Sequence, residues 1–183
     1  MHEALVDLAR RGDEEAFADL ARAVGDRLMA IAFRILRDAD RAEDAVQQAL
    51  VTAWRDLPSL RDDDRFDAWL RRILVRACYA EAKRHRRFAA NVRLLPTDPA
   101  ARGDDFASVR DRDQIERGFR RLSPEHRAIF VLHHYLGLSL AEVAAELDIP
   151  MGTVKSRLHY AKSTLRAAIE ADDRATASSE RLA

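Results

Sequence analysis

The chain has 183 residues, with 31 basic and 31 acidic side chains and a formal net charge of zero. That length holds one ordinary domain or two small ones, and the balance removes any global field that would draw the chain to a polyanion. A single cysteine, Cys78, excludes an internal disulfide framework and points to a reducing compartment.

The N-terminal stretch MHEALVDLARRGDEEAF has no apolar core bounded by a cleavage site, so no signal peptide is expected. No apolar run approaches the roughly 20 residues that span a bilayer. A soluble, cytoplasmic protein without membrane insertion is expected. Apolar residues recur at three and four rather than at two, and glycine and proline are scarce. The expected fold class is all-α.

The first helical block covers residues 13–87. Phe17, Leu20, Ala21, Val24 and Leu28 share one stripe, continued by Ile31, Ile35 and Leu36. Asp38, Ala39 and Asp40 interrupt it. Ala45, Val46, Ala49, Leu50, Ala53 and Trp54 then form the face of a helix over residues 42–54. A polar loop, LPSLRDDDRF, leads to a helix over residues 66–87 with Trp69, Leu70, Ile73, Leu74, Ala77 and Cys78 on its apolar face. Roughly four helices of this kind suffice for a small bundle. Trp54 and Trp69 lie on apolar stripes and read as core rather than as stacking platforms.

Over residues 88–110 the periodicity fails. Pro96, Pro99, Gly103, Asp104 and Asp105 fall there, and the segment reads as an acidic, flexible linker. The helical pattern returns near Asp111 and defines a second domain over residues 111–171. Ser123 and Pro124 are a helix start, Gly137 a helix end, and Ser139 with Glu142 a capping box. The tail, residues 172–183, is expected to fray.

Within this second domain, EVAAELDIPMGTVKSRL carries the clearest functional signal. Leu140, Val143, Ala144 and Leu147 form one inward stripe, and Val154, Leu158, Ala161 and Leu165 form the next. Asp148-Ile149-Pro150-Met151 between them is too short for anything but a tight corner, and Thr153 is the expected cap of the second helix. This is the pattern of a helix-turn-helix. The outer face of its second helix presents Lys155, Ser156, His159 and Lys162, with Arg157 at its flank. Such a helix fits the major groove, where these side chains can bond phosphates and base edges.

Charge separates along the chain. Residues 65–87 hold eight Arg or Lys against two acids, and residues 152–166 hold four against none. Residues 13–56 hold ten acids against six basic side chains. Two basic elements and one acidic surface suit a protein with two polyanion-binding faces and a separate protein-binding face.

The run LSLAEVAAELDIPMGTVKSRLHYAKSTLR resembles the C-terminal DNA-binding domain of bacterial sigma factors, in particular the extracytoplasmic-function (ECF) group. RLSPEHRAIFVLHHYLGLS resembles the helices that precede it. RAEDAVQQALVTAWRDL resembles the core-polymerase-binding helix, and RFDAWLRRILVRACYAEAKRHRR the helix that meets the downstream promoter element. The two motif sets stand in the family's order and cover most of the chain.

The resemblance implies a non-catalytic subunit that needs no cofactor. It would bind core RNA polymerase, place it on promoter DNA and help open the duplex. Glu43, Asp44, Gln47 and Gln48 would dock on the β′ clamp helices. Thr153, Lys155, Ser156, Arg157, His159, Tyr160 and Lys162 would read the upstream (minus-thirty-five) element, with their domain on the β flap. The loop from Leu60 through Arg61 to Arg65 would capture a base of the downstream (minus-ten) element, beside Arg72, Arg76, Lys83 and Arg84. Asp104 and Asp105 would lie in the RNA exit channel, and an anti-sigma factor would regulate the protein. The sequence departs from the family at Asp148, where glycine is common, at Tyr160 for arginine, Arg76 for asparagine and Leu60 for an aromatic. These departures bear on promoter sequence.

Other readings fit less well. His85, His133, His134 and Cys78 lack metal-ligand spacing, since adjacent helical residues point about 100° apart. No nucleophile elbow, phosphate-binding glycine loop or paired-carboxylate signature suggests an enzyme. A free-standing helix-turn-helix regulator would share the C-terminal motif but leave the helical N-terminal block unexplained, and a protein-only adaptor would leave the basic faces unexplained.

Overall fold

A computed structural model describes residues 3–92 and 110–180, with side chains described for 3–90 and 116–171. Its regular structure is entirely helical: α1 (Glu3–Arg10), α2 (Glu14–Leu36), α3 (Ala39–Asp56), α4 (Phe66–Val92), α5 (Arg110–Arg121), α6 (Pro124–Phe130), α7 (Leu140–Leu147) and α8 (Met151–Glu180). The first four form one domain and the last four a second.

Asp13 starts α2 by accepting a hydrogen bond from the Ala16 N–H, with Glu14 and Glu15 favourably placed in the first turn. Leu20, Val24, Leu28, Ile31 and Ile35 are buried at helical spacing. Arg37 ends the helix in the left-handed region, at φ 58°, and Asp38 at once caps α3. The face that α3 buries is all alanine, namely Ala42, Ala45, Ala49 and Ala53, which lets its neighbours approach closely. Trp54 stacks on Phe17 with ring centroids 4.9 Å apart, and Trp69 packs against Phe66 at 6.0 Å, so both serve packing.

Three expectations are corrected here, and one helix is added. Helix α1 was not foreseen; it buries Val6 and Ala9. Its Arg10 donates to the Leu60 carbonyl at 3.3 Å and to Asp63 at 3.0 Å, which ties down the loop before α4. Helix α4 continues to Val92 rather than stopping at residue 87, because RRFAANV contains no breaker and the first proline is Pro96. Helix α8 likewise runs to Glu180 instead of fraying after Ala171. Thr153 is not a cap: α8 begins at Met151, and the Thr153 N–H bonds the Pro150 carbonyl at 2.9 Å inside the first turn. Pro96, Pro99, Gly103, Asp104 and Asp105 lie outside the described residues.

In the second domain, Ser123 caps α6 with Pro124 at its first position, and a single π turn (Val131–Tyr135) follows. Ser139 and Glu142 form the reciprocal capping box of α7. Asp148 ends α7 in the left-handed region, at φ 56°, and makes the corner into α8. Short aspartate tolerates this conformation better than most side chains. Val154, Leu158, Ala161 and Leu165 are buried as the stripe requires. Gly118 of α5 lets α8 approach: a Cβ there would meet Leu165 Cδ2 at 2.9 Å.

The domains touch. One buried apolar cluster runs from Val6 through Leu74 to Ile129, Leu132 and Val154, and a small one under Phe119 and Phe130 joins α5 to α8. Among the described residues, no helix is long and apolar enough to cross a membrane.

Candidate functional site

Three helices carry the side chains singled out from the sequence. On α8, Lys155, Ser156, His159, Tyr160 and Lys162 are exposed, while Thr153 and Arg157 are half-buried. The exposed set follows from the stripe: with Val154, Leu158 and Ala161 inward, the intervening positions must point out. Ser156 turns its hydroxyl back to the Thr153 carbonyl at 3.1 Å. Tyr160 stacks on His126 of α6, 4.5 Å between centroids, so its ring is held against its own domain. Burial, then the charge of Arg157, lowers the His126 pKa below its ordinary value. Arg157 is half-buried, and its charge is felt at His126 of α6. Its charge also pulls down the Tyr79 pKa, which burial raises by a larger amount.

On α4, the four expected side chains separate. Arg76 and Lys83 are exposed. Arg84 reaches Glu81 on its own helix at 2.6 Å and Asp44 of α3 at 2.8 Å. Arg72 turns toward the second domain and meets Asp148 at 3.0 Å. In the preceding loop Arg61 and Arg65 are exposed, whereas Leu60 is buried in the core. In this arrangement the Leu60 side chain is not presented to a partner, because the Arg10 bond to its carbonyl draws that turn inward.

On α3, Glu43, Asp44, Gln47 and Gln48 share one exposed face. Gln47 and Gln48 make only long bonds along the helix, each 3.4 Å, to Glu43 and Thr52. Val51, on the same face, is apolar yet 63% exposed. The pairing of Asp44 with Arg84 links this face to the basic face of α4.

The strongest polar contact was not legible from the sequence. Arg71 of α4 grips Glu146 of α7 with two bonds, Nε to Oε1 at 2.9 Å and Nη2 to Oε2 at 2.8 Å. Glu146 is the one buried charged residue among the described residues. Burial opposes the charge on Arg71, but the bonds and charge of Glu146, with Asp67 and Glu142 beyond, outweigh it and raise its pKa. One signal existed: Glu146 stands three residues after Val143, a carboxylate on the buried side of α7 that would need a partner. On the opposite flank Arg127 donates to the Ile35 carbonyl at 2.7 Å, and Arg37 pairs with Glu116.

Cys78 is fully buried, and burial pushes its thiol up to about 12, so it behaves as a small apolar side chain. His133 places Nδ1 2.7 Å from the Leu138 carbonyl, in the turn beside the π segment. No cluster of three or more metal-ligating side chains forms among the described residues.

Two helical domains, each with a basic helix, and an acidic polar face on α3 match known proteins in both halves. Residues 20–88 match Sigma-70 region 2, and residues 112–165 match Sigma-70 region 4. The ECF RNA polymerase sigma factor SigL of Mycobacterium tuberculosis is 35% identical over 166 residues, covering 87% of this chain and 94% of that protein. The chain belongs to the ECF sigma factors of RNA polymerase. Another relative, the ECF sigma factor SigW of Bacillus subtilis, is 27% identical over 86% of this chain and 90% of its own. Among solved structures, the sigma factor RpoE of Bartonella quintana in complex with the anti-sigma factor NepR aligns with a TM-score of 0.66 and 26% identity, over 85% of this chain and 98% of that one. CnrH in complex with the cytosolic domain of CnrY aligns at 0.64 and 27%, over 93% and 97%. As a member of this family the chain is a sigma factor that directs promoter-specific transcription by RNA polymerase. The region 2 match disfavours a free-standing helix-turn-helix regulator, which would have no use for it.

Proposed function

We propose that the work of this sigma factor is divided among the three helices. The α3 face of Glu43, Asp44, Gln47 and Gln48 docks on the β′ clamp helices, with Val51 as its apolar centre. The outer face of α8, from Thr153 to Lys162, enters the major groove at the upstream element while the second domain rests on the β flap. The basic face of α4 and the loop through Arg61 and Arg65 meet the downstream element and stabilise the opened strand. Extruding a base costs a few kcal/mol, which a basic groove and stacking offset. Leu60 joins that loop only after the turn moves outward from the core. Asp104 and Asp105 enter the RNA exit channel, and the protein works in the cytoplasm. RpoE is captured with the anti-sigma factor NepR, and a dedicated anti-sigma factor is proposed here on the same ground.

The observation that carries this reading is the exposure of basic side chains on α8 and α4, beside an acidic face on α3 with few internal bonds. The decisive experiment is reconstitution with purified core RNA polymerase, followed by run-off transcription of fragmented genomic DNA of the source organism. Discrete new start sites that share upstream sequences are expected. Arg157→Ala should lose promoter binding by about 1–3 kcal/mol and keep core binding, and Gln48→Ala should do the reverse. Equal loss of both functions by either variant would overturn the division of labour.

A further inference from the structure

The loop between α3 and α4 is anchored at its ends and thinly held between them. Leu57 and Phe66 are buried, and Leu60 is turned inward at 8% exposure, while Arg61, Asp62, Asp64 and Arg65 are exposed. The loop's own bonds are local. The Asp62 carboxylate accepts from the Asp64 N–H at 3.1 Å, and the Asp62 carbonyl from the Arg65 N–H at 3.1 Å. These close the turn Asp63–Arg65 on itself and tie it to no other element. Packing around the loop is incomplete in two places. A cavity of about 340 Å³ is lined by Val6, Arg27, Asp63 and Phe66 among others, and one of about 420 Å³ by Leu60, Arg65 and Trp69 among others. A void forfeits the dispersion contacts that would otherwise hold a segment in place.

From outside the loop, α1 reaches in with one side chain. Arg10 donates from Nη1 to the Leu60 carbonyl at 3.3 Å and to the Asp63 carboxylate at 3.0 Å, so it spans the loop from its inward residue to its second turn. Its Nη2 is held at 2.9 Å by Asp7 of its own helix, which aims the guanidinium. The Arg10 and Asp63 side chains are 31% and 25% exposed, so the pair is partly withdrawn from water. Helix α1 is itself fixed by Val6 and Ala9, and it packs on α2. It precedes residue 20, where the match to Sigma-70 region 2 begins. One guanidinium therefore ties the loop backbone to a helix outside the matched region.

We propose that Arg10 is a positioning residue for promoter opening: it catches the loop by the Leu60 carbonyl, and Leu60 leaves the core only when a captured base of the downstream element compensates for that bond. The inference rests on the reading of this loop as the one that captures a base. A matching base offsets both the lost Arg10 bond and the lost burial of Leu60. A mismatched base is held less well and leaves the loop caught. A rearrangement driven by the right ligand trades some rate for selectivity. Arg10 acts through Leu60 and touches no DNA.

The test uses holoenzyme reconstituted from purified core RNA polymerase and the full chain. Its templates are a promoter recovered by run-off transcription and variants of it with single substitutions in the downstream element. Permanganate reactivity of unpaired thymines reads opening, and retention of duplex at low temperature reads closed binding. Arg10→Ala should leave closed binding unchanged, raise opening on the altered promoters and lower discrimination against them by about tenfold, as loss of a hydrogen bond from a charged group implies. Arg10→Lys keeps the charge without the fork and should fall between. Asp63→Asn loosens the catch from the loop side and should act in the same direction more weakly. It also decides the matter if Arg10→Ala does not fold. Unchanged discrimination in the folded variants would overturn the proposal. So would opening that falls equally on every promoter, the mark of a merely structural role. Failure of the loop reading shows separately: Arg61→Ala together with Arg65→Ala would then leave opening unchanged on every promoter.

Discussion

The two basic helices of this sigma factor are held in opposite ways. The outer face of α8 is backed by its own apolar stripe and stands exposed from Lys155 to Lys162. The basic side of α4 is partly spent on the rest of the protein: Arg71 and Arg72 on α7, and Arg84 on α3. The α8 face is open as folded, whereas part of the α4 face is paired within the chain. On the roles proposed for the two helices, upstream recognition would need only docking, while melting would need a change of partners.

The sharpest way to break this comparison is Glu146→Ala. It leaves the largely buried Arg71 without its partner, and loss of one partner of a buried pair costs about 3–5 kcal/mol. Chemical denaturation should show that loss, and replacing the pair with Arg71→Met and Glu146→Leu together should restore most of it. A loss under about 1 kcal/mol would mean the contact between α4 and α7 behaves as an exposed pair.

Lys155→Ala and Lys162→Ala probe the other side of the comparison. Both residues are exposed, so stability should stay within about 0.5 kcal/mol of the wild type. The salt dependence of promoter binding by the holoenzyme should fall by a slope of about 1 for each phosphate that is no longer neutralised. A large stability loss would show that α8 is engaged internally as α4 is.

The smallest expected effect is on pH. Burial and Arg157 hold the His126 pKa below 6.5, with Glu125 opposing and the Tyr160 ring stacked above. The unfolded chain therefore takes up this proton first, so the stability contribution is complete above pH 6.5 and is lost as pH falls below it. Thermal unfolding of the wild type should weaken slightly across that window, and His126→Gln should flatten the change. The shifted carboxylates Asp38, Glu125 and Glu142 act only at lower pH, below their ordinary values of 3.8 and 4.5.

Much of this was legible in the sequence because it is local. The stripe Val154, Leu158, Ala161 and Leu165, the caps at Ser123 and Ser139, and the corner at Asp148 each declare themselves within a few residues. Helix α1 did not, since eight residues with two buried side chains give too little pattern to stand above a polar terminus. The exposed faces of α3 and α8 followed from their buried faces by subtraction. The contact between α4 and α7 could not follow in that way. Arg71 and Glu146 lie 75 residues apart, and Arg71 was indistinguishable from its basic neighbours until a partner was placed against it.

Arg127 links the two domains on the opposite flank. Its guanidinium completes the Ile35 carbonyl in the last turn of α2, and crowding by burial, Arg37 and Arg41 lowers its pKa to about 10. Helix ends need such completion from outside the helix. Separating the domains would hand that carbonyl to water and take a brace from the joint between α2 and α3. Helix α3 begins at Ala39, four residues after Ile35. Amide hydrogen exchange at the α2–α3 joint would therefore quicken if the domains separated, and would report that separation from a site away from α4 and α7.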